Sequence, residues 1–152
     1  MKIAIGADHG GYKLKNKLVR FLKTRGHIVA DLGTHGSARC DYPPIGYKVA
    51  FSVSSGQFYR GILICKSGIG SSIVANKLPG IRAALCLTRL QARRSREHNN
   101  ANVLALAANY LGLKKACEIV DVWLKTEFST EPRHARRVRQ IASIEKRIAR
   151  NI

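Results

Sequence analysis

Short apolar runs that alternate with longer stretches of helical periodicity constrain the fold of this chain more than any other feature. The runs have the length and residue types of buried strands. They are Ile3–Ala7, Ile28–Leu32, Gly61–Cys65, Arg82–Leu87 and Val103–Ala107. Strands separated by helices are joined by right-handed crossovers and form a parallel sheet covered on both faces. The pattern predicts an α/β fold, a three-layer α/β/α sandwich around a five-stranded parallel, Rossmann-like sheet.

Helices are predicted in the stretches between the runs, where apolar residues recur at the spacing of one helix face. These helices follow Gly10-Gly11, begin near Tyr42, pass through Ile73–Lys77, and cover the regions near Thr88–Glu97 and Lys114–Lys125. A final, very basic helix over 133–150 carries one apolar stripe, formed by Val138, Ile141, Ile144 and Ile148. Because such a stripe needs a covering surface, we expect this extended C-terminal helix to pack on another subunit.

Length and composition fit one globular domain over residues 1–152. Hydrophobic residues make up 45% of the sequence, which is too high for a disordered chain. No apolar run approaches the roughly 18 residues of a membrane span, and the first run is too short for a signal peptide core. The cysteines lack the spacing of a metal site; they are Cys40, Cys65, Cys86 and Cys117. We expect a cytoplasmic protein with free thiols, no metal and no membrane contact.

The net charge of +18 is spread over most of the chain, with concentrations at Arg89–Arg96 and Arg133–Arg150. Such a charge suits nucleic-acid binding, attraction of anionic substrates, or simply a basic surface. The sequence has no basic low-complexity tail and no basic ribbon interleaved with aromatic residues, the pattern that binds single strands. A diffuse basic surface is therefore favoured, and nucleic acid is not the expected partner.

Polar and reactive residues follow two of the predicted strands and precede a third. They form three clusters, Asp8–Gly11, Cys65–Ser72 and Arg96–Asn100. Ligands of parallel sheets bind outside the carboxyl ends of the strands. We therefore expect the three clusters to lie in strand-end loops and to converge at one edge of the sheet.

Cys65 is the reactive candidate of the second cluster. It precedes a glycine-rich turn, Gly68–Gly70, whose backbone N–H groups lead into a helix and can bind an anion. The turn lacks the third glycine of a dinucleotide site and the Gly-Lys-Ser/Thr end of a P-loop. A tight structural turn explains the glycines equally well. A thiol beside convergent N–H donors is nevertheless stabilised as a thiolate, which suits a base or nucleophile.

Histidines and arginines are candidates for acid–base chemistry and phosphate binding. His9 and His98 both lie in predicted strand-end loops, a context that favours catalysis over a bond to nearby backbone. Arg133 and Arg137 are one helical turn apart, so both can face one phosphate. A solvated helix face is the alternative for these two arginines.

A series of short motifs runs in order from the first strand to the last helix. It comprises Gly6–Gly11, Leu14-Lys15, Asp31–Gly33, Asp41–Pro43, Gly61–Cys65, Gly68–Gly70, Ala75–Lys77, Gly80–Ala84, Arg96–Asn99, Asn102–Leu104 and Arg133-His134-x-x-Arg137. The series resembles the ribose-5-phosphate isomerase type B family, which also contains galactose-6-phosphate and allose-6-phosphate isomerases. The resemblance implies an aldose–ketose isomerase that interconverts ribose 5-phosphate and ribulose 5-phosphate through a cis-enediolate, without metal or cofactor.

The resemblance also implies a homodimer with each active site built from two subunits; the sequence leaves open whether dimers pair into a tetramer. Cys65 would be the base that moves a proton between C2 and C1, Ser67 would assist at the oxygens, and His98 would open the sugar ring. The residues implied in substrate binding are Asp8, His9, Lys66, Ser67, Gly68, Ile69, Gly70, Asn99, Asn109, Arg133 and Arg137. Among these, His9 and the two arginines would take the phosphate.

Several positions depart from the family pattern. Some members have a second candidate base, a glutamate six residues after the cysteine, where this sequence has Ser71. Lys66 stands where the family usually has glycine, and Asn109 where many members have a substrate-contacting arginine. Thr130–Pro132 replaces a glycine-rich approach to the last helix. Two alternatives therefore stay open: an allose or galactose 6-phosphate isomerase, and, with less support, a nucleic-acid-binding protein on this scaffold.

Overall fold

The strands of the computed structural model, which describes residues 1–150, form one parallel sheet. They are β1 (Lys2–Ala7), β2 (Ile28–Asp31), β3 (Arg60–Cys65), β4 (Ala83–Leu85) and β5 (Val103–Ala107). Their order across the sheet is β2-β1-β3-β5-β4, and every neighbouring pair is parallel. The predicted five-stranded parallel sheet is confirmed.

Helices cover both faces of the sheet, as the alternating pattern requires. They are α1 (Tyr12–Thr24), α2 (Tyr42–Ser54), α3 (Ile69–Ala75), α4 (Arg89–Asn99), α5 (Leu113–Lys125) and α6 (Pro132–Arg150). Successive residues of a strand point to opposite faces. Ile62 and Ile64 accordingly join the core under α1 and α5, where Trp123 is fully buried, whereas Leu63 joins the core under α2 with Val49.

The direction of chain travel reverses between β1 and β3. From β1 the chain moves to β2 on one side, and it then returns to β3 on the other side. In open α/β sheets such a reversal leaves a crevice outside the carboxyl ends of the two strands, and ligands bind there. The loops that begin at Asp8 and Lys66 border this crevice because they directly follow β1 and β3.

Three predicted boundaries are wrong. β4 is shorter than Arg82–Leu87, since the Arg82 N–H donates to the Asn102 side chain at 2.8 Å instead of joining a strand ladder. α3 begins earlier than expected, at Ile69, and ends at Ala75. α4 continues to Asn99, so the segment predicted as a loop before β5 is largely the last helical turn.

The C-terminal helix is present as predicted, and its apolar stripe is largely uncovered. Ile141, Ile144 and Ile148 are 39%, 48% and 55% exposed. Beside the stripe, the helix is tied to the sandwich by a hydrogen bond from the Gly80 N–H to Glu145 Oε2 at 3.1 Å. No helix within residues 1–150 combines the length and hydrophobicity of a membrane span.

Candidate active site

Cys65 ends β3, the central strand of the sheet, and its thiol lies inside the carboxyl edge. The residue is 4% exposed. Its Sγ accepts a hydrogen bond from the Gly68 N–H at 3.1 Å. A donor aimed at sulfur can hold the anionic sulfur that a base or nucleophile needs. The fold therefore presents a buried sulfur with a backbone donor at the crevice between β1 and β3.

The turn after Cys65 requires glycine at position 68. Gly68 has a φ of +73°, and a Cβ there would lie 2.4 Å from Leu85 Cδ1 and 3.2 Å from the Leu106 carbonyl carbon. A side chain at this position would push the turn off the sheet and move its N–H away from sulfur. Ser67 Oγ accepts the Ile69 N–H at 3.3 Å, which leaves its hydroxyl proton available to a ligand.

The loop after β1 places a carboxylate and an imidazole beside this turn. Asp8 is 7% exposed, and its Oδ1 accepts the Gly11 N–H at 3.0 Å. His9 Nδ1 lies 3.0 Å from the Cys40 carbonyl oxygen, so the ring is held by backbone and its Nε2 is left for another partner. We call Asp8, His9 and Cys65–Gly70 the carboxyl-edge cluster.

A buried ion pair supports the carboxyl-edge cluster from the adjacent strand. Lys15 is fully buried and pairs with Asp31 at the end of β2. The second oxygen of Asp31 accepts the Gly33 N–H at 3.0 Å. The Gly33 carbonyl in turn accepts the Ala7 N–H at 2.6 Å. These bonds fix the end of β1 directly before Asp8.

His98 lies in the last turn of α4, and its ring is stacked on that of His134 from α6. The ring centroids are 4.2 Å apart. Arg94 Nη1 lies 3.0 Å from His98 Nε2, and since arginine can only donate, Nε2 is the acceptor. With Arg133, these side chains help line a cleft of about 630 Å³. We call Arg94, His98, Arg133 and His134 the helix-end cluster.

Arg96 holds the helix-end cluster in place. It is 2% exposed and donates to the Ala101 carbonyl at 2.6 Å, to Asn100 Oδ1 at 2.8 Å and to the Thr126 carbonyl at 3.2 Å. Burial lowers the pKa of Arg96 to about 10, so it stays charged at neutral pH. The end of α4 is thereby tied to the segment after α5 that forms the opposite wall of the cleft.

The two clusters lie at opposite edges of the sheet, so the expected convergence within one chain is wrong. Cys65 pairs with Ala107 at the carboxyl end of β5. His98 lies in the last turn of α4, shortly before the other end of β5, which begins at Val103. At roughly 3.3 Å per residue, the two ends of β5 alone are about 13 Å apart. A single chain therefore carries two separate parts of the predicted site.

The remaining predicted residues divide between the two edges. Asn109 follows β5, and its N–H donates to the Lys66 carbonyl at 3.0 Å, which places it beside the carboxyl-edge cluster. Arg137 is exposed on α6 one turn after Arg133. Asn99 is adjacent to His98 in the chain but faces a different groove, which it lines with Ile141 and other residues.

Comparison with known proteins decides the family. A family model described as Ribose/Galactose Isomerase matches residues 3–141. The chain belongs to this family. The ribose-5-phosphate isomerase B of Escherichia coli K12 is 47% identical over 146 residues, which cover 96% of this chain and 97% of that protein. The D-erythrulose-4-phosphate isomerase of Pectobacterium atrosepticum is 43% identical over 129 residues, which cover 84% of this chain and 85% of that protein.

A solved structure supports the same assignment for this family member. The ribose-5-phosphate isomerase B of Clostridium thermocellum superposes with a TM-score of 0.95 at 57% sequence identity. The match covers 97% of this chain and 99% of that chain. The predicted family and fold are confirmed.

Sequence reasoning missed three residues around His98 in this isomerase-family chain. Arg94 could have been found because it precedes His98 by four residues on one helix, a spacing that brings side chains together. His134 lies within one of the family motifs, but the sequence indicates no role for it. The sequence predicts Arg96 in a loop, whereas it lies in α4. Among residues 1–150, no three His, Cys, Asp or Glu side chains are grouped as metal ligands.

We expect His134→Phe to weaken the dependence of stability on pH. Burial first, and then the neighbouring His98 and Arg133, lower the pKa of His134 from its ordinary value. The unfolded chain therefore binds a proton at this residue more readily than the folded chain does. The neutral ring contributes stability that is present above about pH 6.5 and is lost as the pH falls below that value.

Denaturant unfolding at pH 7.5 and pH 5.5 measures this effect. The wild-type protein should lose more free energy of unfolding between the two pH values than His134→Phe does, because phenylalanine preserves the stacked ring and removes the titration. Equal losses in the two proteins would contradict the assignment.

Proposed function

We propose that this chain is an aldose–ketose isomerase that interconverts ribose 5-phosphate and ribulose 5-phosphate. The observation that carries the proposal is the buried Cys65 sulfur, which accepts the Gly68 N–H at the carboxyl end of the central strand. The likeness to proteins named ribose-5-phosphate isomerase B supports the choice of sugar. The charge of +18 favours the approach of an anionic substrate.

Cys65 is the base of the proposed proton transfer. Its sulfur removes the proton from C2 of the open-chain aldose, and the C–H electrons move to form the enediolate with charge on the carbonyl oxygen. The hydroxyl proton on O2 passes to O1, and return of the proton from sulfur to C1 then leaves the carbonyl at C2 and gives the ketose. Backbone N–H groups of residues 66–70 and the Ser67 hydroxyl are placed to donate to the charged oxygens, and each such donor is worth about 3–4 kcal/mol.

His98 opens the sugar ring before this transfer. The closed sugar must lose the proton of its anomeric hydroxyl and gain one at the ring oxygen, and an imidazole can do both near neutral pH. The hydrogen bond from Arg94 and the stack on His134 fix the orientation of the His98 ring. Asp8 binds a sugar hydroxyl in this scheme, whereas Asn99, which faces the groove beside Ile141, takes no part in it.

Two chains complete each active site. The carboxyl-edge cluster of one subunit supplies Cys65 and His9, and the helix-end cluster of its partner supplies His98, Arg133 and, one turn further along α6, Arg137. The separation of the two clusters along β5 supports this arrangement. The uncovered isoleucines of α6 support a partner surface on the same helix. We therefore propose a homodimer of one-domain subunits in which α6 packs on the partner.

A hexose 6-phosphate isomerase is the second candidate, because the matched family is described for both ribose and galactose. Assays with ribose 5-phosphate, allose 6-phosphate and galactose 6-phosphate, in the presence of a chelator, separate the two. We expect the highest kcat/KM with ribose 5-phosphate. A higher value with a hexose phosphate would select the second candidate, and no turnover of any of the three would reject both.

The cytoplasm is the proposed location. All four cysteines, which lie within the described residues, are free thiols, the usual state in a reducing compartment. Cys65 in particular has to stay reduced to serve as a base.

A further inference from the structure

We infer that the ammonium group of Lys66 binds the phosphate of the substrate at the carboxyl-edge cluster. The inference rests on the proposed function for the identity of the ligand, a sugar phosphate. The Lys66 side chain would then bind substrate in addition to any role of the Lys66 backbone N–H. The position, surroundings and charge of the side chain carry the inference.

The side chain of Lys66 lies across the crevice at which the sheet changes direction. Lys66 follows β3, yet its stem packs on Gly10, which belongs to the loop after β1. A Cβ at Gly10 would lie 2.5 Å from Lys66 Cγ and 3.2 Å from Lys66 Cε. Only glycine at position 10 allows the stem to lie so close to the loop. The ammonium is one bond beyond Cε, so it lies near the loop that also carries His9, the neighbour of Gly10.

The Lys66 backbone is fixed from the opposite side of the crevice. Its carbonyl accepts the Asn109 N–H at 3.0 Å, from the loop after β5. β3 lies between β1 and β5 in the sheet. Lys66 is thus held by backbone on the β5 side, and its side chain, although exposed, packs with its stem on the loop after β1.

The charge of Lys66 is not neutralised within the described part of the chain. Among residues 1–150, no carboxylate oxygen lies within 4.0 Å of its ammonium. The nearby Asp8 carboxylate accepts the Gly11 N–H. A lysine ammonium offers three donors and a compact positive charge, which suits a phosphate. The phosphate carries the same charge in substrate, enediolate and product, so this contact strengthens binding without accelerating the chemical step.

Lys66→Met tests the inference, with Lys66→Arg as the charge-preserving variant. Lys23→Met is the matched control, because Lys23 is an exposed lysine in the last turn of α1, away from the carboxyl edge. We expect Lys66→Met to raise KM about tenfold with kcat within about twofold of wild type. Lys66→Arg should recover most of the affinity, and Lys23→Met should leave both constants unchanged. A loss in kcat with KM unchanged, or equal KM values for Lys66→Met and wild type, would overturn the inference.

Equilibrium titration with inorganic phosphate separates this inference from the proposed function. The titration needs no turnover, so it reports on Lys66 even if the wild-type protein fails to isomerise ribose 5-phosphate. We expect phosphate to bind wild type and Lys66→Arg about tenfold more tightly than Lys66→Met. Equal phosphate affinities for wild type and Lys66→Met would overturn the role of Lys66, whatever the isomerase assay shows.

Discussion

Cys65→Ala should lower kcat at least about 100-fold while the protein stays folded. The thiol is the group that carries the proton in the proposed enolisation, and loss of a positioned base costs roughly 100-fold or more. The position where other family members have a glutamate holds Ser71, which is 2% exposed and cannot replace a base at neutral pH. The residual rate should come from substrate binding and the backbone donors alone.

The steady-state rate with ribose 5-phosphate measures this effect, and circular dichroism confirms the fold. Cys117→Ala is the matched control, since Cys117 is a partly buried thiol on α5, outside both clusters. It should retain wild-type turnover. If purified Cys65→Ala kept more than about a tenth of wild-type kcat, Cys65 would not be the base.

His98→Asn should slow turnover of a cyclic substrate far more than turnover of one that cannot cyclise. Ring opening needs a group that both accepts and donates a proton, and asparagine does neither near neutral pH. Ribose 5-phosphate closes to a furanose, whereas erythrose 4-phosphate cannot close one through its phosphorylated oxygen. We expect a loss of about 100-fold with ribose 5-phosphate and a much smaller one with erythrose 4-phosphate.

His134→Asn is the control for His98→Asn, because it disturbs the stacked neighbour without removing the proposed acid–base group. Its losses should be similar for the two substrates. Equal proportional losses in His98→Asn would instead mean that His98 serves enolisation or phosphate binding. Undiminished turnover of the cyclic sugar would remove His98 from the mechanism.

The strands and the carboxyl-edge cluster could be predicted because local pattern determines both. β5 has the predicted bounds, Val103–Ala107, since every residue of that run is buried on one face or the other. Cys65 ends one apolar run and Asp8 directly follows another, and the carboxyl ends of parallel strands share one edge. The family resemblance added roles for these residues that the pattern alone left open.

The helix-end cluster could not be predicted in the same way. The polar segment Arg96–Asn99 has little apolar periodicity, so its pattern does not predict a helix. It is helical because buried hydrogen bonds of the Arg96 side chain hold it in place. Asn100 ends the helix with a φ of +49°. The stack of His98 on His134 joins residues distant in sequence, which no local signal specifies. The Arg96–Asn100 cluster does not meet the other two clusters within one chain, because a segment that precedes a parallel strand lies at the amino edge of the sheet.

Mixing two inactive variants tests whether the active site is shared between subunits. In a shared site, the carboxyl-edge cluster comes from one subunit and the helix-end cluster comes from its partner. Cys65→Ala and His98→Asn chains are unfolded together, refolded at equal amounts and assayed with ribose 5-phosphate. In a two-fold symmetric mixed dimer, one site carries both substitutions and the other carries neither. Random pairing makes about half of the dimers mixed, so about a quarter of wild-type activity should return. Activity no greater than that of the two variants refolded separately would contradict a site shared between subunits.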